Sequence, residues 1–453
     1  MRDKPYSRLA HFLLQAILVA ILLPTAAQSV LAFGFVASVL GLSSWAVLRG
    51  TWVRELSPEL GEVWRLLFKG LCVLWAFHLL SMLCESFQVE SLHEWTTMFV
   101  MHLRLCLKQG VYGTAIILCM LVMAQRARTS SSPMLSPKAL LLAISMLTLY
   151  MIGQRYQGWD WVHGWHARLG EHRFAYGVYR ASGFMGHPLS LAFNAMLLSV
   201  LAASQGLWSW KYERRQGIVW FLVSFLMLFQ IFLTGSRFPL AITCALLMVL
   251  FSLWAFSHRQ EQPIRMRYVI LGLLGVASLT FALDPNLRGR SLELFNSQQN
   301  FEENFDRIIF WKVNLCLALD HLGVGSGLLR YPSVLLDYYQ QAGYTNYERK
   351  YAAHNIFLQT AADMGLLGLT GLTVFLVILF SVGIQVWKRW CHAGVIMLAL
   401  ATVTSGLMQN NLRDSEFLFA LWAGIGLTLS WLVEQGMASE PTESRTNFEN
   451  HKP

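Results

Sequence analysis

Apolar runs approaching or exceeding about 18 residues recur along the whole of this chain, and few folds can accommodate them. A helix of that length crosses a hydrocarbon core of roughly 30 Å with its backbone polar groups satisfied internally. The runs lie near residues 9–24, 26–48, 63–85, 99–124, 139–153, 188–204, 217–234, 238–256, 268–283, 356–386, 393–409 and 417–433. The first has no small-x-small cleavage site ahead of a soluble domain and a second follows at once, so it reads as a span rather than a cleaved signal. Composition agrees: 453 residues that are 55% hydrophobic and 13% charged, with a mean hydropathy of +0.45, carry more apolar surface than a soluble fold could bury. The expected fold is all-α, a polytopic membrane helical bundle of about 12 transmembrane helices with a helical outer loop region.

The expected organisation is a set of N-terminal membrane helices over 1–138, a core over 139–433, and a polar, disordered cytoplasmic tail over 434–453. In membrane proteins a basic excess marks the cytoplasmic side, so the net charge of +9 calls for no acidic polymer and no nucleic-acid partner is expected. With both termini cytoplasmic, the basic clusters at Arg49 and Arg54, Arg126 to Lys138, Lys211 to Arg215, Arg259 to Arg267, and Lys388 and Arg389 all fall inside. The seven Cys sit mostly within apolar runs and form no CxxC, which suits packing. The opposite face then carries two long loops, 154–187 and 283–355, expected to contain short helices and to carry function.

Four polar constellations lie at outward helix ends. In YRASGFMGHPLSLA, Arg180 and His187 flank a glycine-containing turn before Pro188, a pattern that fits a helix-end anchor as well as a site. In LTGSRFPLA, Arg237 falls between two spans on the side where basic residues are disfavoured, beside Gly235 and a helix start that favours anions. The segment NFDRIIFWKVNLCLALDHLGVGSG reads as a partly buried helix with Arg307 in its first turn, where a cation needs an anion nearby. Its GVGSG lacks the lysine of a P-loop. In AHNIFLQTAADMGLLGL, His354 and Asn355 open a helix whose positive end favours the neutral imidazole, a form able to act as a base.

Other polar groups fit structural roles better. Asp363 lies about 180° around an ideal helix from His354 and reads as the partner of another helix. Gly365 and Gly368 mark a place where this helix packs closely or bends, and Arg413, Asp414 and Glu416 fit an outer salt-bridge cluster. His163, His166 and His172 lack regular metal-ligand spacing, so no metal is expected. Outer-face arginines with a single His base suit a lipid diphosphate: Arg binds phosphate in bidentate fashion and the base deprotonates an attacking hydroxyl. Trp159, Trp161, Trp165, Tyr338 and Tyr339 would suit sugar stacking, and an interfacial aromatic belt equally.

The motifs GSR at 235–237, DRIIFWK at 306–312, HLGVGSG at 321–327 and HN, nine residues, then GLLG at 354–368 together resemble the signature of the O-antigen ligase and polymerase superfamily. The likeness covers roughly residues 180–433, with the first spans alike only in hydropathy. It implies a transferase of the bacterial inner membrane, independent of metal, ATP and any cofactor, that moves a glycan from undecaprenyl diphosphate to an acceptor at the periplasmic face. The acceptor is lipid A-core for a ligase, or a second lipid-linked glycan for a polymerase. On this chain the resemblance makes Arg237 and Arg307 diphosphate ligands and His354 the base, with Arg180 matching a less distinctive element and Asn355 and His187 in support. The HN-x9-GLLG form is nearest the ligase pattern, which puts lipopolysaccharide assembly first. A lipid-glycan transporter would instead distribute charge through the spans and use repeated, broken helices, and no internal repeat is found. A structural scaffold would not need His354.

Overall fold

The computed structural model describes residues 58–89, 91–127, 137–162, 174–175, 177–257, 297–344 and 352–434. Its helices are α1 (Pro58–Ser86), α2 (Leu92–Cys106), α3 (Tyr112–Ala127), α4 (Pro137–Gln157), α5 (Pro188–Trp210), α6 (Arg214–Leu233) and α7 (Arg237–Ser257). They continue with α8 (Ser297–Asp320), α9 (Tyr331–Gln341), α10 (Ile356–Trp390), α11 (Gly394–Gly406) and α12 (Ser415–Glu434). Seven helices among the described residues, α1, α4, α5, α6, α7, α10 and α12, are long and apolar enough to cross a membrane. The chain is a multi-pass helical membrane protein. The expected spans at 9–24, 26–48 and 268–283, and the tail from 435 onward, lie outside the described residues.

Two other expected spans take a different form. The run at 99–124 is α2 and α3 joined by a π-helical turn, Leu107–Val111. Gly110 abuts the Trp75 indole, where a Cβ would stand 1.5 Å from Nε1. The extra residue of the turn also brings Gln109 inward, its Oε1 2.7 Å from His78 Nε2 and its amide donating to the Leu412 carbonyl at 2.9 Å. The run at 393–409 shortens to the 13 residues of α11, about 20 Å, because residues 407–409 leave the helix to meet the outer loop.

Helices α5 and α12 are the most enclosed and form the centre of the bundle. Helix α5 forms an antiparallel hairpin with α6, across which the Ser199 and Ser224 hydroxyls lie 3.1 Å apart and each reaches the other's carbonyl. Such polar contacts between membrane helices are worth roughly 0.6–2 kcal/mol each and fix the register of the pair. Helix α10 lies along α1 and α11, and α12 against α3, where Gly113 makes room for the Trp422 indole.

The second long loop is helical as expected. Helices α8 and α9 build a small core of their own from Ile309, Phe310, Val313, Leu317, Leu335 and Tyr339, with Ala362 of α10 completing it. Helix α8 begins at Ser297, ten residues before Arg307, so Arg307 is not in the first turn and the dipole argument for it falls away. In the first long loop the described residues form a hairpin rather than a short helix. Strands β1 (Phe174–Ala175) and β2 (Val178–Tyr179) pair antiparallel around Gly177, whose φ of +79° suits a tight turn.

One end of the bundle gathers the polar constellations. There Arg155 of α4 meets the Leu233 carbonyl of α6, Ser190 of α5 meets Asp414 before α12, and Asn355 before α10 meets the Leu407 carbonyl after α11. Lys211, Arg214, Arg215, Lys388 and Arg389 lie at the opposite end.

Candidate functional site

Three of the residues singled out in the sequence dock on one turn. The His354 Nδ1 lies 2.9 Å from Gln409 Oε1, the Asn355 amide donates to the Leu407 carbonyl at 3.1 Å, and Arg307 NH1 donates to the Met408 carbonyl at 3.4 Å. Residues 407–409 follow α11 directly, so the end of one membrane helix holds both the imidazole and a guanidinium. The Phe310 ring, one helical turn beyond Arg307 on α8, stands 6.0 Å from the His354 ring.

The backbone at His354 has φ +48°, a conformation a non-glycine residue adopts at some cost, of order 1–3 kcal/mol. It is retained because its neighbours are fixed on both sides. Ala353 N donates to Gln359 Oε1, and Asn355 Oδ1 caps α10 by accepting from Phe357 N at 2.9 Å and Leu358 N at 3.1 Å. An amide carbonyl oxygen can only accept, so Gln409 Oε1 sets the proton of a neutral His354 on Nδ1 and leaves the lone pair on Nε2. That is the form a general base requires.

Arg180 and Arg237 belong to a second turn, between α6 and α7. Gly235, with φ +65°, reverses the chain there, and Arg237 is the first residue of α7, half-buried at its positive end. Arg180 Nε donates to the Thr234 carbonyl at 3.2 Å and its NH2 to Ser236 Oγ at 3.3 Å. Arg155, fully buried, donates to the Leu233 carbonyl at 3.0 Å and lies 5.2 Å from the centre of the Phe232 ring. Arg155 and Arg180 therefore both converge on Gly235, where an added Cβ would stand within 4.0 Å of each. Cations around a helix start favour an anion. The segment after β2 that carries Arg180 is held in turn by Gln154, whose Oε1 accepts from Ser182 N and Gly183 N.

His187 has a cap role: its Nδ1 accepts from Leu189 N at 3.1 Å at the start of α5. Three residues on, Ser190 donates to Asp414 Oδ2 at 2.9 Å, and Asp414 Oδ1 accepts from Glu416 N. Segment 407–414 thus joins the Arg180 side of the bundle to the turn that carries His354.

Beneath His354, α10 is broken. Gly365 adopts φ +63° and ψ −157°, and the glycine-rich loop 322–327 fills the gap. Leu366 N and Leu367 N donate to the Leu322 and Gly323 carbonyls, while Ser326 N and Gly327 N donate to the Ala362 and Asp363 carbonyls. The GVGSG segment therefore spends its Ser326 and Gly327 amides on a broken helix, while Gly325 N donates to the His321 carbonyl. The loop continues to Glu85 of α1, which accepts from Leu328 N and Leu329 N and pairs with His102 at 2.8 Å. Asp363, fully buried, is paired with Arg413 and held by both contacts of the Gln359 amide, at 3.0 and 3.1 Å.

The sequence points to His354, Arg180, Arg237 and Arg307 as candidates, whereas Arg155, Gln154, Gln359 and Gln409 enter only once the chain is folded. Only the occurrence of such residues beside apolar runs could have drawn attention to them. His163, His166, His172 and Trp165 lie outside the described residues.

No curated protein matches the chain. The family model described as O-antigen ligase matches residues 222–373, about one third of the chain, a stretch that includes Arg237, Arg307, His354 and Asn355 but not Arg180 or His187. That family carries out glycosyl transfer of the ligase or polymerase type with lipid-linked glycans. Over residues 222–373 the chain is therefore similar to the O-antigen ligase family.

Proposed function

We propose that the chain transfers a glycan from undecaprenyl diphosphate to an acceptor hydroxyl on the outer, periplasmic face of the bacterial inner membrane, as an O-antigen ligase with lipid A-core as acceptor. The observation that carries this reading is the joint docking of His354 and Arg307 on residues 407–409, inside the matched region. His354 Nε2 takes the proton of the acceptor hydroxyl as that oxygen attacks the anomeric carbon. The bond from that carbon to the diphosphate breaks, and the diphosphate leaves with the electron pair. Arg237 and Arg307, with Arg180 held on the turn that precedes Arg237, stabilise the leaving charge, and fixed cationic donors of this kind act without reorganisation at the moment of reaction. The basic residues at the end of the bundle opposite the site support the outward orientation and cytoplasmic termini.

The experiment offers purified protein an undecaprenyl-diphosphate glycan with either lipid A-core or a second donor molecule, without ATP or divalent ions. Glycan on lipid A-core is the expected product, and elongated lipid-linked glycan would make the chain a polymerase. Neither product would favour a transporter. His354→Ala is expected to abolish transfer while the protein still accumulates in the membrane and binds donor. Transfer surviving that substitution would remove the base assignment.

A further inference from the structure

Asp363 is too far along α10 to touch His354, yet the folded chain joins the two residues twice. The first connection is segment 407–414. At one end of it Gln409 Oε1 meets the imidazole Nδ1, and at the other the Arg413 guanidinium pairs with the Asp363 carboxylate. The second connection runs within the opening of α10. The Gln359 amide donates to both Asp363 oxygens, at 3.0 and 3.1 Å, and its Oε1 accepts at 3.0 Å from the backbone N–H of Ala353, the residue before His354. His354, Gln409, Arg413, Asp363, Gln359 and Ala353 therefore close a ring, with the buried carboxylate opposite the imidazole.

Chemistry fixes the direction of each link. A carboxylate only accepts hydrogen bonds, so Asp363 turns the Gln359 NH2 toward itself and leaves Oε1 for the Ala353 amide. That amide precedes the residue at φ +48°, a conformation that persists only where its surroundings over-determine it. On the other arc, Gln409 lies outside regular helix, and Arg413 follows it in a short 3-10 turn, Asn411–Arg413. The place of Gln409 thus depends on what anchors the segment. The Leu407, Met408 and Leu412 carbonyls accept from Asn355, Arg307 and Gln109, and Arg413 adds a link in which both partners carry charge. For cohesion alone a buried ion pair is a poor choice, since a well-packed apolar pair holds two segments as well or better. What an apolar pair cannot do is orient an amide.

We infer that Asp363 and Arg413 are positioning residues for the base, an assignment that rests on the transferase reading above. Through segment 407–414 they hold Gln409 against Nδ1, which sets the tautomer. Through Gln359 they hold the Ala353 amide, which sets the backbone on which the ring stands. Together the two arcs keep the Nε2 lone pair where an acceptor hydroxyl can reach it. Neither residue needs to touch substrate, so breaking the pair slows turnover and leaves donor binding in place.

The test is a double-mutant cycle on the full chain in nanodiscs, with an undecaprenyl-diphosphate glycan as donor and saturating acceptor. Asp363→Asn should lower kcat on the order of 10-fold or more with donor KM within about 2-fold, as should Gln409→Leu. The double variant should fall no more than about 2-fold below the lower single, because both changes remove one contact. Gln409 and the Phe310 ring face the imidazole and Arg307 is a cation on the same turn, so the carboxylate introduced by Gln409→Glu acts on the base directly. The rise it causes in the acid limb of the pH–rate profile should shrink to less than half in the Asp363→Asn background. Asp363→Leu combined with Arg413→Met fills the space without charge and should also lose turnover; it replaces Asp363→Asn in the cycle if that variant does not accumulate. Multiplying kcat effects, an undiminished pH shift, or wild-type turnover in the apolar pair would overturn the inference. Failure of the wild-type chain to transfer from any donor overturns the transferase reading instead. Positioning is then read from the nitrogen NMR spectrum of labelled histidine, with the His354 signals identified by their loss in His354→Ala. The Nδ1–H form should give way to a tautomer mixture in Asp363→Asn, and its persistence unchanged would count against the pair.

Discussion

Gly365→Ala should damage stability and transfer together, and the structure supplies the magnitude. With φ +63° and ψ −157°, Gly365 occupies a backbone region open almost only to glycine, and a Cβ there costs of order 1–3 kcal/mol in strain. That Cβ would also stand 2.5 Å from Gly323 O and Gly325 N, backbone atoms that cannot rotate away. Relieving the clash means separating α10 from loop 322–327 and loosening the bonds of Leu366 N and Leu367 N, at about 0.5–1.5 kcal/mol each. The sum is roughly 2–6 kcal/mol. If the helix straightens to escape the strain, His354 sits about 16 Å along the lever, and a swing of roughly 10° moves it about 3 Å. A misplacement of about 1 Å already costs on the order of 100-fold in rate. The expected outcome is a lower apparent unfolding midpoint in detergent and at least a 100-fold fall in kcat. Gly61→Ala is the control: nothing lies within 4 Å of its added Cβ in the first turn of α1, so it should be neutral or stabilising. A Gly365→Ala protein with wild-type midpoint and turnover would refute the argument that the break in α10 places His354.

Gln409→Leu should lower kcat roughly 10-fold or more with little change in donor KM, since the base loses the acceptor that fixes its tautomer. Gln409→Glu should instead move the acid limb of the pH–rate profile upward by about 1 unit or more, because a carboxylate facing Nδ1 favours the charged ring. Arg237→Lys keeps the charge but loses the planar fork, so transfer should fall clearly, and full activity would reduce Arg237 to a simple anchor. At the opposite end of the bundle His392 is buried between Gln205 and the Gly394 amide, and burial holds its pKa down to about 3. A depressed His contributes stability that is complete above about pH 6.5 and is lost on acidification toward pH 3, by up to about 1.4 kcal/mol per unit. His392→Gln should flatten that part of the stability profile in a detergent unfolding series.

The membrane spans were legible because an apolar run near 18 residues has few other uses. What the runs conceal is any change of helical type within them. The π turn at Leu107–Val111 leaves the hydropathy of 99–124 unaltered, so two helices read as one. Helix α8 was placed too late because SQQNFEEN has helix-forming residues but no apolar stripe before Ile308. For the site, residue types carried information and pairings did not. Asp363 in an apolar run demanded a partner, but Arg413 lies 50 residues further on and Gln409 lies 55 residues from His354. A glutamine at the end of an apolar run resembles any interfacial glutamine until the turn that holds it has been folded. Gly365 was legible as a bend, whereas the loop that fills the bend was read only for its lack of a P-loop lysine.

The exchange of amides and carbonyls between loop 322–327 and the broken part of α10 bears on modularity. Cut away from α10, the segment carrying α8 and α9 would lose Ala362 from its small core, the Gln359 partner of Tyr331, and the partners of four loop backbone groups. Glu85 of α1 adds a further tie, through the amides of Leu328 and Leu329. The outer helices therefore cannot be grafted or swapped as a cassette. A chimera that exchanges residues 297–344 must bring the first turns of α10 and the end of α1 with it, or it will assemble a membrane bundle without its outer half.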